Sequence, residues 1–462
     1  MEKEQTNKMG VSPVWSLLLK MALPMIFSMV MSALYNIVDS IFIGMMEAPK
    51  NSLAITALGY AFPLQMLLVA VAIGTGIGVN AVLSKALGEN KKEVVSKTAA
   101  MGYLSMSVFY IFFLIIGFLM FFSSFYFQWV TTNEEVAYMG SRYLGLCFIF
   151  SFGQLLQLVS ERTLCATGKT HLAMVMQLSG AIVNIALDPL FILVWNMGVE
   201  GAAIATIIGQ MVSMVVGFVL NARCNKEISF SFSIANFKPD FKIIASIFKV
   251  GFPAIILQAL QSLQTLVLQI VFVSLFNSNP ELVDTLVAVY GVYFKLQNFI
   301  FMAFYGLVNS MLPIIGYNYG TGNEKRSKQA AFYGYLYGLV IALLGVIIFE
   351  SMPELLLLLF NLPQEWLGIG VNLTRIVVPS FFLASICIVS SGVLQGLGNG
   401  IHPLVIALLR LLVILFPATY LFGYFLGVSN LWWGSYVAEF IGCAYSLFFV
   451  YLIWKKSFRK KT

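Results

Sequence analysis

Twelve apolar stretches, each long enough to cross roughly 30 Å of hydrocarbon as a helix at 1.5 Å per residue, constrain this chain more than any motif does. They lie near 15–45, 53–83, 98–122, 136–160, 171–195 and 200–221, and again near 246–276, 284–316, 329–350, 365–396, 402–425 and 430–454. A bilayer core offers no water to a lone N–H or C=O, so each spanning segment must close its own backbone hydrogen bonds. The expectation is an all-α polytopic membrane protein. Composition agrees: 10% of residues are charged, where a soluble domain carries about a quarter.

Lys and Arg collect in short cytoplasmic loops. With the N-terminus inside, the basic groups Lys3 to Lys20, Lys85 to Lys97, Arg162 with Lys169, Arg223 to Lys249, Lys325 to Lys328 and Lys455 to Lys461 all fall on one side. The opposite loops carry Glu134, Glu135, Glu200, Glu281, Asp284 and Glu354. Both termini are therefore expected in the cytoplasm, in a cell membrane. This bias and attraction to anionic lipid account for the net charge of +7, so no nucleic-acid partner is required. The five cysteines are scattered, with neither disulfide nor zinc spacing. No cleaved leader is expected, because the first ten residues are polar and no small-residue cleavage site follows.

The two halves repeat at a nearly constant offset. Lys20-Met-Ala-Leu-Pro24 recurs as Lys249-Val-Gly-Phe-Pro253. Gly59, Phe62, Leu64, Gln65 and Gly74 recur as Gly291, Phe294, Leu296, Gln297 and Gly306, and Gly198-Val199 as Gly427-Val428. Six helices return the chain to its starting side, so the halves are expected as parallel repeats about an axis along the membrane normal. The division expected is 1–222, a cytoplasmic linker 223–245 and 246–462, and the basic loop from Asn221 to Lys249, apolar at Ile234, Phe237, Phe241, Ile244 and Ile247, is expected to join the halves along the inner surface as an interfacial helix.

Within this apolar background Ala181-Ile-Val-Asn-Ile-Ala-Leu-Asp-Pro189 stands out. Asn184 and Asp188 are one helical turn apart and share a face. A carboxylate in hydrocarbon costs at least roughly 2.5 to 3.5 kcal/mol, so it is there for a partner or a function. Pro189 brings no N–H to the carbonyl of Ile185, which leaves that oxygen available. Asp39 and Asp188 each lie roughly six or seven residues from the outer end of a helix, and Thr206 about six from its outer start. At 1.5 Å per residue all three sit about 10 Å below the outer boundary and can meet. Carboxylate, amide and hydroxyl oxygens suit a hard cation, and the same acids can take a proton.

The duplicated twelve-helix plan, the stretch from Pro24 through Tyr35-Asn-Ile-Val-Asp39, the Asn184-x-x-x-Asp188-Pro189 segment and Gly198-Val-x-Gly201-Ala-Ala-Ile-Ala-Thr206 together resemble the multidrug and toxic compound extrusion (MATE) family, in its DinF-like, MepA-like branch. The resemblance spans essentially the whole chain. It implies two six-helix lobes in a V around a central cavity, and alternating-access export of amphipathic, often cationic compounds in antiport with H⁺ or Na⁺. It places cation binding at Asp39, Asn184, Asp188 and Thr206, and a hinge at Pro24 that bends the first helix when Asp39 is protonated. The acids that NorM-like members carry in the seventh and tenth helices are missing here, where glutamines and Arg375 stand instead.

Polar residues on other inward stripes are candidates for a substrate cavity: Tyr35, Asn36, Tyr143, Gln157, Gln177 and Gln210 in the first half, and Gln261, Gln269, Lys295 and Asn298 in the second. Lys295, Arg375 and Glu439 fall at similar depth, so an ion pair involving Glu439 is expected, while Arg410 has no evident partner. No cofactor, no metal beyond the coupling ion and a monomeric state are expected. No enzyme motif such as His-Glu-x-x-His or a partnered Gly-x-Ser-x-Gly occurs, and the competing reading is a lipid-linked oligosaccharide flippase of the same wider superfamily.

Overall fold

A computed structural model describes residues 7–46, 50–228, 238–358 and 363–459, apart from the side chains of residues 35–37, 39, 40, 50, 52, 262 and 459. The described residues contain eleven helices long and apolar enough to cross a membrane, and a bent pair, Glu134–Ile149 and Phe152–Ala166 at 47°, makes the twelfth span. The first six spans are Val14–Gly44, Lys50–Gly88, Lys92–Ser123, the bent pair, Thr170–Val194 and Gly198–Cys224. The seventh to twelfth are Phe241–Phe276, Pro280–Thr321, Glu324–Ser351, Gln364–Gly396, Ile401–Leu426 and Val428–Phe458. Each corresponds to one apolar stretch read from the sequence.

Sequence signals fix several helix ends. Asn133, Asn279 and Asn323 accept backbone N–H bonds of the first turns of the fourth, eighth and ninth spans, as short amide side chains do at N-caps. Left-handed Gly322 and Gly398 close the eighth and tenth spans at an angle few other residues tolerate.

The chain divides into two compact units, one of residues 1–7 with 27–255, the other of 8–26 with 256–462. The division does not fall in the linker. It falls inside the first and seventh spans, after Ile26 and after Ile255, each two residues beyond its proline, Pro24 or Pro253. In the second unit the stretch before Phe27 lies along the eighth and ninth spans. Ser310 Oγ donates to Met21 O at 2.9 Å, Asn318 Nδ2 to Met9 O at 3.1 Å and Tyr337 OH to Trp15 O at 3.1 Å. A Cβ on Gly306 would sit 2.6 Å from Ile26 Cα, so only glycine admits this approach.

The first unit repeats the device with the seventh span. A Cβ on Gly74 would sit 2.4 Å from Ile255 N, and one on Gly78 2.2 Å from Ile247 O. Gly74 and Gly306 are repeat mates, as are Ile26 and Ile255. Each half therefore surrenders the leading part of its first helix to the second helix of the other half.

This arrangement corrects the linker reading. Asp240 Oδ1 accepts from Lys242 N and Ile243 N and starts the helix at Phe241. Ile243 and Ile247 pack with Val79 and Met101 in the core of the first unit, and Ile244 packs beside them. The apolar periodicity ascribed to an interfacial helix is the cytoplasmic end of the seventh span, and residues 229–237 of the expected linker lie outside the described residues.

Candidate functional site

The fifth and sixth spans cross at two glycines. A Cβ on Gly180 would stand 2.4 Å from Gly209 O and 2.1 Å from Ser213 Oγ. Small residues at such a crossing let two helices approach closely. About one turn further along, Asn184 of the fifth span then meets Thr206 of the sixth.

Asn184 Nδ2 lies 3.3 Å from Asp188 Oδ1 and 3.5 Å from Thr206 Oγ1. Asp188 is 0% exposed and Asn184 is buried, while Thr206 is half-buried. The amide nitrogen faces the acid, which leaves Asn184 Oδ1 buried without a hydrogen-bond donor among the described residues. An amide, a carboxylate and a hydroxyl thus meet in one small volume, the amide turning its nitrogen rather than its carbonyl to the other two, so that a bound cation would need the amide reversed. All three carry oxygen ligands of the kind a hard monovalent cation takes, and the carboxylate is also able to take a proton. Only one described carboxylate contributes, and no group of three or more His, Cys, Asp or Glu residues clusters among the described residues, so the donor set fits a singly charged ion better than a divalent metal.

Beyond Pro189 the helix continues and widens into a π turn over Leu190–Val194, where Trp195 N donates to Leu190 O at 2.9 Å. Pro189 shifts the backbone pattern without ending the span. π turns of this kind occur often beside functional groups.

The remaining predicted residues are distributed as follows. The side chains of Tyr35, Asn36 and Asp39 lie outside the described residues, although all three belong to the first span. Pro24 sits inside that helix. Tyr143 is a core residue and not a lining one: it is buried in the apolar cluster of the first unit, with Gln65 Nε2 donating to its hydroxyl at 3.3 Å. Gln157 and Gln210 are half-buried. Gln177 shares the stripe of Asn184 and Asp188 but donates to Glu161 Oε2 at 2.6 Å. In the second unit Gln269 and Asn298 are half-buried, Lys295 is exposed, and Gln261 Nε2 donates to Tyr305 OH at 2.5 Å.

One charged pair is new to the structure, and the expected ion pair of Glu439 forms with a different partner. Arg162, counted with a cytoplasmic loop, lies within the fourth span at 1% exposure, 3.8 Å from an equally buried Glu161. Gly76 makes room for it, since a Cβ there would come 2.8 Å from Arg162 Cγ. Glu439 pairs with Arg410 and with neither Lys295 nor Arg375. Nε and Nη2 of Arg410 donate to the two carboxylate oxygens at 2.7 and 2.6 Å. Arg410 occupies a π turn, Leu409–Val413, and Gly442 leaves space for its stem, where a Cβ would meet Arg410 Cγ at 2.5 Å.

Comparison with known proteins follows this geometry. The MatE family model matches twice, over residues 24–190 and 253–421, once in each half. The multidrug export protein MepA of Staphylococcus aureus (strain MSSA476) is 25% identical over 98% of this chain and 97% of its own. The MepA of Staphylococcus saprophyticus is also 25% identical, over the same shares of the two chains. A solved structure described as the outward-facing conformation of a multidrug resistance MATE family transporter superposes with a TM-score of 0.90, at 21% identity and over the whole of both chains.

Proposed function

Since this chain belongs to the MatE family, we propose that it is a secondary active exporter of amphipathic, often cationic organic compounds, driven by inward movement of H⁺ or Na⁺. The observation that carries this reading is the buried Asn184–Asp188–Thr206 constellation inside an apolar helical unit. Full-length similarity to proteins named for multidrug export supports the substrate class. We assign the ion to Asp188, Asn184 and Thr206 together with Asp39 of the first span.

Coupling requires only that the ion and the substrate prefer different states of the protein. One positive charge moving inward gains about 2.3 kcal/mol per 100 mV, enough to hold roughly a fiftyfold gradient of a neutral substrate. Neutralising Asp188 removes the reason for Asn184 to keep its amide turned toward the acid, and the first span, which carries Asp39 and passes between units just beyond Pro24, is the element in this reading that transmits the change. The protein works as a monomer in the cell membrane with both termini in the cytoplasm.

The test is efflux of a fluorescent organic cation from proteoliposomes under an imposed pH gradient and then under a Na⁺ gradient. Wild type exports under at least one of them, while Asp39→Asn and Asp188→Asn lose gradient-driven export. Normal export by both variants would remove the site assignment. Translocation of a lipid-linked oligosaccharide without dye export would favour the flippase.

A further inference from the structure

The eighth span carries a lysine, Lys295, well inside its length. Between Asp284 and Thr321 Lys295 is the single exposed residue, and every residue of that stretch is described. Spans that face lipid look different. The third presents Val108, Ile111, Phe112, Ile115, Leu119 and Phe122 outward. The eighth exposes no large apolar side chain at all. An ammonium among hydrocarbon tails is costly, by roughly 2.5 to 3.5 kcal/mol at the least. The face bearing Lys295 is therefore one that water or a dissolved ligand reaches.

Its surroundings are polar, neutral and aromatic. Asn298 and Tyr305 follow on the same helical stripe and are half-buried. The glutamines of the seventh span bracket this level. Gln264 Nε2 donates to Tyr290 OH at 3.3 Å, more than a turn before Lys295, and Gln261 Nε2 donates to Tyr305 OH at 2.5 Å, nearly three turns after it. Among the described residues no hydrogen bond or ion pair engages the Lys295 ammonium, and the nearby acid of this unit, Glu439, is taken up by Arg410. The unit thus offers a compact cation with three donors, flanked by amides and a phenol, and no carboxylate of its own to pair with it.

We propose that Lys295 receives an anionic group of the transported molecule, so that the substrate class extends from simple organic cations to amphipathic compounds that carry a carboxylate. This rests on the export reading above. Rhodamine 123 and its free acid, rhodamine 110, differ by a single methyl ester and probe it directly. Binding of each to the purified full-length protein is followed by fluorescence polarisation, and efflux of each from proteoliposomes is measured alongside. Lys295→Gln lowers affinity for rhodamine 110 by about tenfold, the effect of losing one charge-assisted hydrogen bond, and leaves rhodamine 123 within about twofold. Lys295→Arg keeps the wild-type ratio. Equal weakening of both dyes by Lys295→Gln, or an unchanged ratio beside normal efflux of rhodamine 123, would overturn the inference alone. A folded wild type that neither binds nor exports either dye would overturn the export reading with it.

Discussion

In the first unit the fifth and sixth spans bring Asn184, Asp188 and Thr206 together; in the second, the register set by Gly198-Val199 and Gly427-Val428 places Ser435 opposite Thr206 and Glu439 opposite Gln210. The same repeat position that is a neutral amide in one unit is an acid in the other. That acid is matched by Arg410 in a two-pronged pair, and the same offset puts Pro417, not an acid, at the place of Asp188. Burial is similar in both places, but the balance is not. A carboxylate locked against a guanidinium has its charge cancelled within the protein, and a third ion gains nothing there. The carboxylate of Asp188 has an amide and not a guanidinium as its described hydrogen-bond partner. Duplication supplied two equivalent frames, and substitution at a few inward positions gave one a charge-matched pair and the other an acid beside an amide and a hydroxyl.

Four outcomes would break or sharpen that contrast. The largest effect is expected at the second unit's pair. Arg410→Ala or Glu439→Ala strands a buried charge and costs roughly 3 to 5 kcal/mol, whereas the joint change Arg410→Met with Glu439→Leu recovers most of it. Thermal unfolding in detergent reads this, and a joint variant that folds but no longer transports would give the pair an active part and spoil the contrast. Next come the close approaches. Gly306→Val and Gly74→Val force a side chain into backbone and are each expected to destabilise by about 1 to 3 kcal/mol, to similar degrees if the two exchanged helices are equivalent.

Asp188→Asn is expected to leave the melting temperature nearly unchanged while gradient-driven export falls at least tenfold, roughly the loss of one charged interaction. A large drop in stability instead would make Asp188 as structural as Glu439. The smallest effect is expected at Arg142, whose Nε donates to Glu200 at 3.0 Å in a partly exposed pair. Arg142→Gln should cost less than about 1 kcal/mol and leave transport intact.

Much of this was legible in the chain. Span count and duplication follow from apolar length and offset, and the similar level of Asp188 and Thr206 from depth, all of which are additive along a straight helix; that Asn184 is the residue reaching both is read only from the structure. What failed was what departs from straightness or depends on partners across helices. Depth along a straight helix leaves Arg410 without a partner and sets Glu439 beside Lys295 and Arg375, whereas the long guanidinium stem reaches Glu439 across helices. Arg162 was read as a loop residue because basic residues cluster at cytoplasmic ends, yet its helix runs on to Ala166 and buries it. Tyr143 was taken for a lining residue because a tyrosine stem and a phenol look alike on either side of a helix, and only packing decides between them. The exchange of leading helices has no sequence signature beyond Gly74 and Gly306, whose purpose is invisible until the approaching backbone is seen.

That exchange bears on where such a chain comes from. A single ancestral half with its leading segment reaching outward could not bury that segment alone, and two copies trading it would form a swapped dimer held by reciprocal insertion. Joining the genes end to end fixes the trade within one polypeptide, with Ile26 against Gly306 and Ile255 against Gly74 as its two matching seams.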